Sequence, residues 1–156
     1  MGVQIQSNIL KHLLQKSYFI NGTAYAGKST MVKLLAQKHE GICCGENYHD
    51  CLMDAVDVEH QPNLCYFQTM RDWQEFVNRT PEEYSAWIAG CSREAEDLEL
   101  CRLIQLAESG KKIFVDTNIS LKTLGKVSDY HRVAVLLAPP QVSVERFFQR
   151  ADSEKQ

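Results

Sequence analysis

A short apolar run, Tyr18-Phe19-Ile20, leads into Gly22-Thr23-Ala24-Tyr25-Ala26-Gly27-Lys28-Ser29, and Met31, Leu34 and Leu35 then recur at helical spacing before Gly41. No other stretch narrows so far what this chain can fold into. The loop matches G-x-x-x-x-G-K-[ST] at all four fixed positions. With Gly at ~7% of average composition, chance gives that match in roughly one chain of this length in a few hundred. The flanks agree: β-prone residues stand before the loop, and the helix after it carries Lys33, Gln37 and Lys38 on its polar side. Strand, glycine-framed loop and helix form the context in which this pattern carries meaning.

The spacing has a chemical reason. Gly22 and Gly27 let the backbone turn so that successive amides face one concavity, an anion-binding nest. A helix opening near Lys28 adds unpaired amides and the positive end of its dipole. Gly22, Thr23, Ala24, Tyr25, Ala26, Gly27, Lys28, Ser29 and Thr30 are therefore expected to surround phosphate. Lys28 would bring a mobile positive charge to the β- and γ-phosphates, and the Ser29 hydroxyl suits a Mg²⁺ ligand.

Length and composition bound the rest. At 156 residues the chain is expected to form one domain, residues 1–156, with a real core. A net charge of −3 gives no global attraction for nucleic acid or an anionic membrane, so phosphate binding must be local. The longest apolar stretch, Val133 to Pro140, is far short of the ~20 residues of a membrane helix. Gln4, Gln6, Asn8 and Lys11 interrupt any signal-peptide core, and Gln6 stands where a myristoylation motif wants Ser or Thr. The expected address is cytoplasmic, with no membrane or nucleic-acid partner. The six cysteines include no C-x-x-C pair, and no His spacing suggests zinc. Cys43-Cys44 sits in a strand-like run and Cys91 on an apolar helical stripe, so most are expected to be small core residues, reduced in the cytoplasm.

Along the chain, Ile5, Ile9, Leu10, Leu13 and Leu14 predict a short amphipathic helix within 4–15. Ile42-Cys43-Cys44 predicts a brief second strand followed by the polar segment Gly45 to Asp50. Residues 51–70 lack periodicity, and a helix is expected around Asp72 to Asn78. Thr80-Pro81-Glu82-Glu83 is a strong start signal, an N-cap Thr with Pro at the first helical position and Glu three residues on. Tyr84, Ile88, Cys91, Ala95 and Leu98 then mark one face of a long helix ending near Gly110. Ile113-Phe114-Val115-Asp116 predicts a strand ending in a carboxylate, residues 120–127 a turn or two of helix, and Val133 to Leu137 a buried strand. The last helix, from Val142 to about Arg150, has Val144, Phe147 and Phe148 on its apolar side. Short apolar strands alternating with helices predict an α/β layer fold with a mostly parallel sheet. Ligands of such sheets sit beyond the carboxyl ends of the strands, which gathers Gly22–Ser29, Glu46 and Asp116 at one edge.

The loop after the first strand, Glu46 after the second, Asp116 after the third, and a fourth strand leading into Glu145-Arg146-Phe147-Phe148-Gln149-Arg150 together resemble the P-loop small-molecule kinases. That group holds nucleoside, nucleotide, shikimate and gluconate kinases. The resemblance spans most of residues 16–150, although only the loop is a specific motif. It implies a three-layer P-loop NTPase fold with a parallel sheet of order 2-3-1-4-5, and magnesium-dependent transfer of the γ-phosphoryl group of ATP. Here the chain stops at Gln156, just past the first arginines of the lid, which begins near residue 142. The expected order is thus 2-3-1-4, with the fifth strand and final helix missing and the fourth strand an exposed edge through which copies could associate.

The resemblance also implies roles. Asp116 corresponds to the acidic residue that holds Mg²⁺ with Ser29, directly or through water. Glu46 corresponds to a residue that binds the acceptor hydroxyl and serves as general base, with Asp50 and Asp54 as competitors. Arg146 and Arg150 lie one helical turn apart and correspond to lid arginines that neutralise charge on the transferred group. Tyr48, Arg71 and Trp73 fall in the acceptor region, where packing is an equal explanation. A GTPase switch lacks support, since Asp116-Thr117-Asn118-Ile119 has no glycine for D-x-x-G and no N-K-x-D occurs. An AAA-type motor would want Glu where Thr117 stands. The expectation is an ATP-dependent kinase of a small acceptor, with a nucleotide-binding protein without turnover, or a small ATPase, as the alternative. The acceptor itself has no signature.

Overall fold

The computed structural model describes residues 4–150, which fold as two compact units: residues 4–46 with 106–150, and residues 47–105. The first unit is built on a parallel sheet of four strands: β1 (Ser17–Gly22), β2 (Ile42–Cys44), β3 (Ile113–Asp116) and β4 (Val133–Leu136), in the order β2-β3-β1-β4. That is the order the resemblance implies. Its helices are α1 (Ser7–Leu13), α2 (Lys28–Lys38), α6 (Leu121–Val127) and α7 (Pro140–Phe148).

Strand alternation fills two sides of this sheet. Ile20 and Phe114 face Val32 and Ala36 of α2, with Tyr18, Leu35 and Leu136 packed around them. Phe19, Ile113 and Val115 point the other way and are also fully covered. The paired central strands are therefore apolar on both faces, as parallel sheets require. Helix α2 stops where expected but by an unexpected residue. Glu40 takes the left-handed turn (φ 51°), and the amides of Glu40 and Gly41 bond back to Gln37 O (3.4 Å) and Ala36 O (2.9 Å), a Schellman motif. Gly41 is needed for space, because a Cβ there would lie 2.7 Å from Lys112 O.

Two readings of the sheet need correction. β4 takes the edge position expected of it, but it is not the buried strand its apolar run predicts: Val135 is 44% exposed, because among the described residues only β1 lies beside it. The cysteines are mostly outside the core as well: Cys44 and Cys65 are buried, Cys91 is half-buried, and Cys43, Cys51 and Cys101 are exposed. Cys43 points opposite to Cys44 on the outermost strand β2, which covers one face only. No disulfide joins any of the six.

The second unit is helical. A 3₁₀ turn (Asp50–Ala55) lies within the stretch that lacked periodicity, and α3 (Tyr66–Thr69), α4 (Trp73–Val77) and α5 (Pro81–Ala107) follow. The capping box forms as read: Glu83 N donates to Thr80 Oγ1 (3.2 Å) and Thr80 N to Glu83 Oε2 (2.8 Å). The apolar stripe holds only toward its later part, where Ala95 is buried and Cys91 and Leu98 are half-buried. Tyr84 and Ile88 are 47% and 42% exposed, and the buried positions of α5 are Gly90, Ala95, Glu99 and Leu103. Small residues set this face: a Cβ on Gly90 would sit 2.5 Å from the Asn63 side chain, so the loop before α3 closes on the helix where the side chain is smallest. Among the described residues, no helix is long and apolar enough to cross a membrane.

Candidate functional site

Sheet register assembles the site. β1 and β3 run parallel with Ile20 opposite Asp116, so the loop leaving β1 and the carboxylate ending β3 emerge side by side. Gly22 closes β1 at φ 135°, and a Cβ there would fall 1.8 Å from Leu136 O, so the loop must pass β4 as glycine. Thr23 N donates to Leu136 O (3.0 Å), Ala26 N to Thr23 O (3.3 Å), and Tyr25 adopts φ 59°. Gly27 (φ 93°) is the N-cap of α2, whose first-turn amides have no acceptor within the helix.

Lys28 is 9% exposed, and its ammonium donates to the carbonyls of Gly22 (3.3 Å) and Thr23 (3.2 Å). The side chain thus folds back over the loop it follows. Ser29 Oγ donates to Asp116 Oδ2 at 2.6 Å, and Asp116 is 4% exposed. These two residues, 87 positions apart, are the pair expected to share a magnesium ion. Among the described residues, no group of three or more His, Cys, Asp and Glu side chains is placed to hold a metal. A hydroxyl and a carboxylate in contact nevertheless form a hard oxygen pair that suits Mg²⁺, which keeps several waters and takes few protein ligands.

The sequence reading missed Asn21. Its side-chain amide donates to Ile119 O (2.7 Å) and its Oδ1 accepts Gly22 N (2.6 Å), so it joins the loop to the segment after β3. A polar residue closing an apolar strand directly before the first glycine was the available signal. Ser143 was also missed; its hydroxyl donates to Ala24 O (2.9 Å).

Of the two arginines that correspond to lid arginines, Arg146 donates from Nη1 to Tyr25 O (2.5 Å). Arg150 Nη1 reaches Tyr25 Oη at 3.5 Å, with its guanidinium 5.7 Å from the ring centre, and Phe147 meets the same ring edge-on at 6.0 Å. Ala138 N adds a bond to Thr23 Oγ1 (2.9 Å). Helix α7 is thereby fastened to the loop, chiefly through main-chain carbonyls.

Glu46 lies two residues past β2 and is exposed. Tyr48, Arg71 and Trp73 belong to the helical unit. Tyr48 Oη donates to Glu99 Oε2 (2.8 Å), the exposed Arg71 donates its amide to Glu75 (3.2 Å), and the exposed Trp73 packs on Phe67 with ring centres 5.7 Å apart. Asp50 and Asp54 are exposed in the 3₁₀ turn. No family model, curated protein or solved structure matches this chain.

Proposed function

We propose that the chain is a P-loop phosphotransferase, moving the γ-phosphoryl group of ATP to a small acceptor such as a nucleoside, nucleotide, sugar or hydroxy acid. The observation that carries this reading is the Ser29–Asp116 contact of 2.6 Å beside a glycine-framed loop whose own lysine lies over it. In this reading the amides of residues 24–29 bind phosphate oxygens, and Lys28 exchanges its carbonyl partners for the β- and γ-phosphates. Ser29 and Asp116 would hold Mg²⁺, which supplies charge neutralisation on the phosphates. Arg146 and Arg150 would leave Tyr25 to meet negative charge on the transferred group, and Glu46 would take the proton of the acceptor hydroxyl. The cytoplasm fits this role, since it keeps thiols such as the exposed Cys43, Cys51 and Cys101 reduced.

Lys28→Ala tests the reading. It should abolish MgATP binding measured by calorimetry while the far-UV circular dichroism stays unchanged. Unchanged ATP affinity in the folded variant would overturn the proposal. A nucleotide-binding protein without turnover is the second reading, favoured by the arginine of α7 already bonded to a loop carbonyl. ADP release over a panel of nucleosides, sugars and hydroxy acids separates the two, because the second reading gives binding and no release.

A further inference from the structure

Helix α2 packs chiefly across β1, β2 and β3, and the same face of the edge strand β4 is left open. Ala134 stands beside Ile20 in the register, so its side chain points to the α2 side, yet it is exposed. A cavity of about 380 Å³ occupies this open half-face. Its size falls within the ~300–1,000 Å³ typical of small-molecule sites. Tyr18 of β1, Leu35 of α2 and Ala134 give it an apolar floor and wall. It lies at the starting ends of the strands, opposite the glycine-framed loop: Tyr18 is the second residue of β1, and Lys112 and His131 precede β3 and β4. All of these residues belong to the sheet unit.

The polar part of the lining is all of one kind. Lys112, His39 and His131 line the cavity, and no carboxylate does. Among the described residues, none of these three side chains has a hydrogen-bond or ion-pair partner. Arg132 also lines the cavity but is already engaged, donating to Gln15 O and pairing with Asp129 at 2.9 Å. Lys112 therefore supplies one permanent positive charge, and each imidazole supplies an N–H in either charge state. His39 is held by stacking on Phe114, with ring centres 5.6 Å apart and planes 21° from parallel. A bare inorganic anion would leave the apolar floor uncovered, and a hydrocarbon would leave the donors unmatched. One permanent charge matches a monoanion better than a phosphate dianion. We propose that this cavity binds a small carboxylic acid as its carboxylate. The compact apolar body rests on Tyr18, Leu35 and Ala134, and the carboxylate oxygens accept from Lys112 and from His39 or His131. The assignment is independent of the phosphotransferase reading.

β-Naphthoate is the probe, and its uncharged amide is the control that keeps the apolar body without the charge. Equilibrium dialysis of the intact protein should show saturable naphthoate binding in the millimolar range or tighter. The amide should bind about fivefold or more weakly. Lys112→Met should weaken naphthoate binding about threefold or more and leave the amide within about twofold, a pattern that a merely structural lysine would not give. The sheet should tolerate this change, because it is the main-chain carbonyl of Lys112 that accepts Ile42 N (2.8 Å). Ala134→Phe, checked for folding by circular dichroism, should fill the cavity and abolish binding of both compounds. Lys28→Ala should keep naphthoate binding, since the loop lies at the other ends of the strands. Absence of saturable binding, equal affinity for the amide, or unchanged affinity in folded Lys112→Met or Ala134→Phe would each overturn the assignment. Loss of binding in folded Lys28→Ala would overturn it too, by placing the carboxylate in the loop. The comparison of the two compounds needs no variant and decides the matter even if a variant fails to fold.

Discussion

The two units keep their large side chains in opposite ways. In the sheet unit Phe19, Ile113 and Val115 are wholly covered, held by strands whose neighbours on both sides are fixed by backbone ladders. In the helical unit Phe67, Trp73 and Tyr84 stay exposed and meet other rings at a tilt, as Phe67 does with Phe76 at 5.3 Å and Tyr84 with Trp87 at 5.7 Å. One unit is organised by a buried layer, the other by a ring network around Arg79. Burial in a layer follows from alternation along the chain. A ring network depends on contacts among residues as far apart as Tyr66 and Trp87, which no local pattern announces.

The largest expected contrast tests this directly. Phe19→Ala should cost about 3–5 kcal/mol, as for a fully buried aromatic, whereas Phe67→Ala should cost about 1 kcal/mol or less. Urea titration of both variants measures it. Equal losses would mean that the rings are the true core of the helical unit and that the comparison is wrong.

Next in size, Asp116→Asn should lower magnesium-dependent ADP release by about 10²–10³-fold, the usual loss for one preorganised electrostatic group. Arg71→Ala in the helical unit should leave release within about twofold, since its side chain is exposed. A loss at Arg71 matching that at Asp116 would place an essential group of the reaction in the helical unit. Thr80→Ala is smaller, about 1 kcal/mol for a lost cap, and thermal melting should show a drop of about 2–4 °C. No change would mean that the capping box does not hold the start of α5.

The smallest effect is kinetic. Burial raises the Cys91 thiol pKa, and the negative charge of Glu94 raises it further. A raised thiol pKa means less thiolate at any given pH, so Cys91 should react with a disulfide reagent at mildly alkaline pH after the exposed Cys43, Cys51 and Cys101. Mass spectrometry of the quenched reaction reads the order, and early labelling of Cys91 would show that the helical unit opens.

The same contrast explains how far the sequence could be read. The loop was legible as a local motif, and its gathering with Asp116 at one sheet edge follows from a rule about parallel sheets. The strand order and the pairing of Ser29 with Asp116 were expected only from the resemblance that the loop suggests. The capping box at Thr80, like the loop, was legible as a local motif. The buried row of α5 was not, because Gly90 and Glu99 carry no apolar signal and owe their burial to what closes over them. The bonds from α7 were missed because they run to main-chain carbonyls, which every residue possesses and no side-chain pattern marks.

The outer strand β4 has a consequence for how copies of the chain behave when crowded. It offers at most four residues for pairing. Three and four residues beyond its last, Pro139 and Pro140 bring no N–H with which another strand could continue the ladder. A second copy laid along this seam would find its hydrogen bonds cut off after one short step, so each such pairing is weak. Brevity and two prolines protect this open edge in place of the charged residues that many sheets use for the same purpose.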